Sequence, residues 1–252
     1  MSAQSPHDAG AVPVGVAPGP SRRLGVLVPS SNSNAESSIL RMLAAEDDVS
    51  AHFSRFRLPA DLGDRIDAGV LGDAPALLAD AEPDAVAFHG TSGSWTGFAG
   101  ERSLCAQLET VVGAPATTAT LAVRAALAEL GLERVGLVFP GPRAIAEDIV
   151  VQYAADGIGM PVISVPDVSL ANAEVARVGG DRIDALMRPA FRDGVDGVVC
   201  IGTNLRSAYR VAAFEAEYGI PVVDSATATL WHLLRRAGAR LAIAGWGALL
   251  AS

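Results

Sequence analysis

The stretch RRLGVLVP (22–29) recurs as ERVGLVFP (133–140), and that recurrence decides how the rest of the chain is read. Each copy is a short apolar run rich in branched side chains and closed by proline, the pattern of a buried strand running into a turn. Two further pairs follow in the same order, again about 110 residues apart. HGTSGS (89–94) is echoed by IGTNLRS (201–207), and GAPATTATLAVRAALAELG (113–131) by GIPVVDSATATLWHLLRRAG (219–238). One such echo is weak; three in register indicate internal duplication. Strands are expected at 24–29, 51–58, 84–89, 134–140, 161–165, 197–201 and 220–225. Helices are expected at 34–45, 98–111, 119–130, 143–155, 171–187, 204–218 and 226–237. Strands alternating with helices of this length build parallel sheets from βαβ units. The expected fold is therefore α/β, with two pseudo-symmetric, duplicated lobes.

Residues 1–21, rich in Pro, Gly and Ala without periodicity, read as a disordered leader. It has neither a charged start nor a long apolar segment, so a secretory signal is not expected and the cytoplasm is the default location. The first lobe is expected to span 22–116, completed by the C-terminal segment 226–252, and the second 117–225, with the active-site cleft between them. The 252 residues are half hydrophobic and carry a net charge of −9 with no cluster of Lys or Arg, which argues against a nucleic-acid partner. No apolar run approaches the roughly 18 residues that a membrane span needs. Two cysteines and four scattered histidines form neither a disulfide framework nor a metal-ligand pattern, so no metal is expected.

In open α/β sheets, ligands bind beyond the C-terminal ends of the strands. The turns expected there supply Ser30, Ser31 and Asn32; Gly90, Thr91, Ser92 and Ser94; Gly141; and Gly202, Thr203 and Asn204. Polar turns that open onto helices offer free backbone N–H groups and hydroxyls, which hold a carboxylate or phosphate without a cation. Taken singly, each is an ordinary helix cap; converging on one cleft, they point to a small oxyanion. No turn matches a Walker motif or a complete GxGxxG. His89 is the titratable group nearest the cleft and the candidate acid/base residue. Cys200, inside GVVCI, and Cys105, inside SLCAQLE, read as buried and inert.

Several of these segments together resemble the aspartate/glutamate racemase superfamily. They are VPSSNSNAE (28–36), HFSRFR (52–57), GTSGS (90–94), GAPATTAT (113–120), TNLR (203–206) and GIPVVDSATATLW (219–231). The nearest branch contains maleate cis-trans isomerase, arylmalonate decarboxylase and the ectoine-utilisation isomerase-like proteins, and the likeness covers roughly 22–240. The resemblance implies a homo-oligomer with a cofactor-independent site between the lobes. It also implies a small carboxylate substrate, handled through carbanion, enolate or thiol-adduct intermediates. In the racemases and maleate isomerases of this group a cysteine heads each turn; here those positions are Gly90 and Gly202. Arylmalonate decarboxylase is similar to this chain in having glycine at the first turn, but keeps the second cysteine. The family's tyrosine position is Gly141, and an expected asparagine corresponds to Ala146. Two-base racemisation and thiol-assisted isomerisation need groups that glycine lacks, whereas decarboxylation to an enolate asks only for oxyanion donors and an apolar wall. A decarboxylase-type lyase is therefore favoured over a maleate-type isomerase or racemase. The rival class is a carboxylate-binding protein without turnover.

Overall fold

The computed structural model describes residues 19–59 and 66–252. Apart from residues 19–21, the expected leader lies outside the described residues. Eight strands are described: β1 (Arg22–Pro29), β2 (Val49–Phe56), β3 (Ala85–Phe88), β4 (Ala116–Thr118), β5 (Arg134–Val138), β6 (Gly159–Ser164), β7 (Gly197–Cys200) and β8 (Val222–Asp224). They form two four-stranded sheets with the same order, β2-β1-β3-β4 and β6-β5-β7-β8, and every pairing is parallel. The repeated sequence thus gives a repeated topology of two α/β lobes.

A parallel sheet is covered on both faces, and the alternation along each strand sorts its side chains into separate cores. Leu24, Val26 and Val28 of β1 join Ala85 and Ala87 of β3, Val135 and Leu137 of β5, Val199 of β7 and Val223 of β8 in one central core shared by the lobes. The opposite face of the first sheet, with Leu27, Val86 and Phe88, packs on Leu104 and Leu108 of the helix Phe98–Val112. That of the second, with Val138, Val198 and Cys200, packs on Ile183, Met187 and Phe214. The helices that follow the last strand of each half, Ala119–Glu129 and Ser225–Arg236, pack against each other at the seam. Ser225–Arg236 also lies on β3 and β4 of the first sheet, while Ala119–Glu129 reaches β8 of the second.

Three differences from the sequence reading have local causes. β4 was not expected: it is three residues, Ala-Thr-Thr, too short to alternate, and it spans the boundary placed at 116. The helix expected over 171–187 is two pieces, Asn172–Val175 and Gly180–Met187, with Gly179 as the cap that starts the second. The helix expected over 204–218 begins as a 3₁₀ turn, Arg206–Arg210, before Val211–Tyr218. No helix among the described residues is long and apolar enough to cross a membrane.

Candidate active site

Because each sheet is parallel, the turns after β1, β3, β5 and β7 leave their sheets at strand C-termini. Residues from all four line a single hollow of about 150 Å³ between the lobes. Pro29, Leu58, Phe88, Trp95, Phe139, Pro140, Leu170 and Val175 make its walls apolar. Trp95 meets Phe139 edge to face across the lobes, with ring centroids 5.8 Å apart. Of the residues singled out from the sequence, Asn32, Gly90, Thr91, Ser92, Gly141, Gly202, Thr203 and Asn204 line this hollow. Ser30, Ser31, Ser94 and His89 do not; the Ser94 hydroxyl is buried against Thr120 and Tyr153. Leu58, Leu170, Asn172 and Val175 come from segments whose position no sequence motif announces.

Side-chain hydrogen bonds divide the polar lining into two sets. The first ties the lobes together. Asn32 Nδ2 donates to Thr203 Oγ1 (3.1 Å), and the Thr203 hydroxyl donates to the carbonyl of His89 (3.1 Å). Asn204 Oδ1 accepts from Ser33 N (3.2 Å), and Asn34 Nδ2 donates to the Asn204 carbonyl (2.8 Å). Asn172 Nδ2 donates to Ser31 Oγ (2.7 Å), and Asn204 Nδ2 to the Asn172 carbonyl (2.7 Å). The side chains of Ser31, Asn32, Thr203 and Asn204 are thus engaged across the cleft. Ser30 is exposed at its rim, where its N–H donates to the Phe56 carbonyl and its own carbonyl accepts from Arg55. In the second set, the hydroxyls of Thr91 and Ser92 and the main-chain N–H groups of Gly90, Thr91, Ser92, Thr203 and Asn204 pair with no described group. Main-chain donors from both lobes, with two hydroxyls from one, therefore remain for a ligand.

The three glycines of the hollow are closed in by rings. A Cβ on Gly90 would stand 2.6 Å from Phe88 Cε1, and one on Gly141 2.5 Å from Phe139 Cε1. Gly202 has φ +140°, and its Cβ would stand 2.9 Å from Pro140 Cγ. The space is taken by aromatic edges and a proline ring, so the hollow is not simply enlarged by three missing side chains.

No titratable side chain lines the hollow among the described residues. Along β3, Ala85 and Ala87 face the central core, and alternation carries the His89 ring the same way. That ring is fully buried, both of its nitrogens lack a hydrogen-bond partner, and desolvation pushes its pKa down to about 4. An imidazole so placed is neutral and turned from the hollow, which removes the geometry an acid/base role requires. It predicts an acid sensitivity instead. Unfolding restores the ordinary value near 6.5, so the unfolded chain binds the extra proton first, and stability present above pH 6.5 is lost as pH falls toward 4, by up to about 3 kcal/mol. His89→Leu should therefore flatten the fall of urea midpoint between pH 6.5 and 4. An unchanged fall would mean that His89 is not the group responsible.

Cys105 and Cys200 are buried away from the hollow. Burial, and for Cys105 the nearby Glu101 charge, pushes that thiol up to about 12; burial and Asp224 raise Cys200 well above the usual range. Neither supplies a thiolate near neutral pH. Two buried carboxyls were missed in the sequence. Asp224, beneath the second lobe's turn, caps Ser225–Arg236 through the N–H groups of Ala226 and Thr227. The run DSAT ahead of a helix does carry that N-cap signal. Glu101, beneath the first, has no sequence signal, since its position in the first turn of Phe98–Val112 is ordinary for an exposed acid. Among the described residues no three His, Cys, Asp or Glu side chains could hold a metal ion.

A family model described as arylmalonate decarboxylase matches residues 65–250. A maleate isomerase of Nocardia farcinica is 29% identical over 242 residues, covering 91% of this chain and 95% of its own. The solved structure of a maleate cis-trans isomerase from Nocardia farcinica is a serine variant of a cysteine with a covalently bound succinylcysteine intermediate. It is similar to this chain with a TM-score of 0.81 at 26% identity, over 91% of this chain and 98% of that one. Unliganded arylmalonate decarboxylase shares the fold with a TM-score of 0.75 at 23% identity, over 91% and 98%. The chain belongs to the arylmalonate decarboxylase (Amdase) family, within the maleate isomerase and arylmalonate decarboxylase branch of the aspartate/glutamate racemase superfamily.

Proposed function

We propose that the protein is a cytoplasmic, cofactor-independent lyase that decarboxylates a small malonate-type dicarboxylate through an enolate. The observation that carries this reading is the pairing of free main-chain N–H groups and two hydroxyls with apolar walls around one small hollow. The retained carboxylate is held by the N–H groups of Gly90, Thr91 and Ser92 and by the hydroxyls of Thr91 and Ser92. The other lies against Phe88, Phe139 and Trp95, where loss of water raises its energy. Its bond to the α-carbon breaks, CO2 leaves, and the electron pair passes into an enolate stabilised by the same donors. A proton from water then completes the product. Preorganised donors aimed at developing charge are the largest single contribution such a site can make, and this chemistry asks for no nucleophile.

Thiol-assisted isomerisation has less support, because neither cysteine lines the hollow. A second reading, a carboxylate-binding protein without turnover, is favoured by the lack of any titratable side chain in the described lining. Incubating the purified protein with maleate, phenylmalonate and alkylmalonates separates the classes. Turnover by NMR supports the lyase, and a melting shift without turnover supports the binder. Neither response to any of these would sink both. In the lyase, Thr91→Val should lower kcat about 10²-fold, the scale of one lost oxyanion donor; unchanged kinetics would take that hydroxyl out of the mechanism.

A further inference from the structure

Of the carboxyls the proposed chemistry leaves unused, Glu101 lies directly against the oxyanion turn, at Gly93. It is 4% exposed, and its carboxyl is wedged under that turn. A Cβ on Gly93 would overlap its Cγ, Cδ and Oε1, so only glycine lets the main chain pass so close. The Gly93 N–H and the hydroxyls of Thr118 and Thr120 interact with the carboxyl, while Oε2 has no partner. Gly93 directly follows Ser92, which lines the hollow and whose N–H and hydroxyl pair with no described group.

We propose that Glu101 is a positioning residue: its carboxyl fixes the Gly90–Gly93 turn from below, and its ionisation state sets how well that turn accepts an anion. The inference rests on the oxyanion reading of the turn. The carboxyl packs so closely beneath Gly93 that it buttresses the turn whose unpaired N–H groups belong to Gly90, Thr91 and Ser92. Adding a negative charge under the turn opposes a second one above it. An anionic ligand and ionised Glu101 therefore disfavour each other, and by linkage the ligand binds more tightly when Glu101 is neutral. Burial places this titration near neutrality, pushing the carboxyl up to about 7 against the partial relief of its hydrogen bonds. Among the described residues, the other titratable groups facing it are Tyr153, whose hydroxyl is 3.4 Å from Ser94 Oγ, and Cys105 on its own helix. Both are raised and stay neutral across the range of interest. The Arg124–Asp156 pair lies beyond Tyr153.

The test is an NMR pH titration of the free full-length protein from pH 5.5 to 8.5, following the amides of Gly90 to Ser94 and the Glu101 side-chain carboxyl. The amides should titrate with the midpoint of that carboxyl, and Glu101→Gln should abolish the shift while the fold persists. In parallel, phenylmalonate affinity should weaken about fivefold from pH 6 to 8 in the wild type, the part of a one-unit coupled pKa change that falls in this range, and less than twofold in Glu101→Gln. Amides that ignore the carboxyl would overturn the positioning role whatever binds, and the wild-type titration decides this even if the variant fails to fold. Amides that titrate in a protein that binds no phenylmalonate at any pH would instead overturn the ligand reading and leave the positioning role standing.

Discussion

Asp224→Ala should lower the free energy of unfolding by about 3–5 kcal/mol, a large share of a domain's margin. The side chain is fully buried: Oδ2 accepts from Ser207 Oγ at 2.5 Å, and Oδ1 from Ala226 N at 2.8 Å and Thr227 N at 3.2 Å. Alanine removes a helix cap worth about 1 kcal/mol and strands three buried donors, each costing about 1–3 kcal/mol where it cannot find another partner. The damage reaches the cleft, because the adjacent Ser225 Oγ accepts from Gly202 N (3.1 Å) at the head of the second turn. Urea denaturation measures the loss. Asp224→Asn keeps one acceptor oxygen and should lose about half as much. Equal stability of Asp224→Ala and the wild type would show that the buried carboxylate is not a structural pin.

Gly202→Cys should cost about 3 kcal/mol and should confer no maleate isomerisation, although it restores the residue the family resemblance places there. Two causes add. A φ of +140° is a backbone conformation that side chains rarely adopt, at about 1–3 kcal/mol. The new Cβ must also displace the Pro140 ring, an overpacking cost of about 1–3 kcal/mol. Adding Gly90→Cys deepens the problem, since its Cβ would press on Phe88, itself buried in the outer core of the first lobe. Maleate-to-fumarate conversion by NMR and the urea midpoint check both halves of the expectation. A stable double variant that isomerises maleate would show that the rings give way easily and that only the sulfur was missing.

The duplication, the parallel sheets and most turn positions were legible because they rest on strand-length apolar runs and repeated glycine-led turns, features that survive as patterns. Eight of the eleven turn residues expected at the cleft line the hollow for the same reason. What the pattern could not resolve was the assignment of each polar side chain. Thr203 and Asn204 look like Thr91 and Ser92 on paper, yet the first pair spends its side chains on the opposite lobe, a relation between residues some 170 positions apart. His89 read as a cleft residue by adjacency to Gly90, whereas the alternation of β3 turns its ring into the central core. Glu101 was invisible because burial of an acid is decided by Gly93 and β4, which no local window joins to it.

Each half's closing helix crosses the seam: Ser225–Arg236 covers β3 and β4, and Ala119–Glu129 touches β8. Each closing helix therefore packs on both sheets, its own and the other half's. A break that loosens one side strips apolar surface from the other, so damage to either half is felt across the seam.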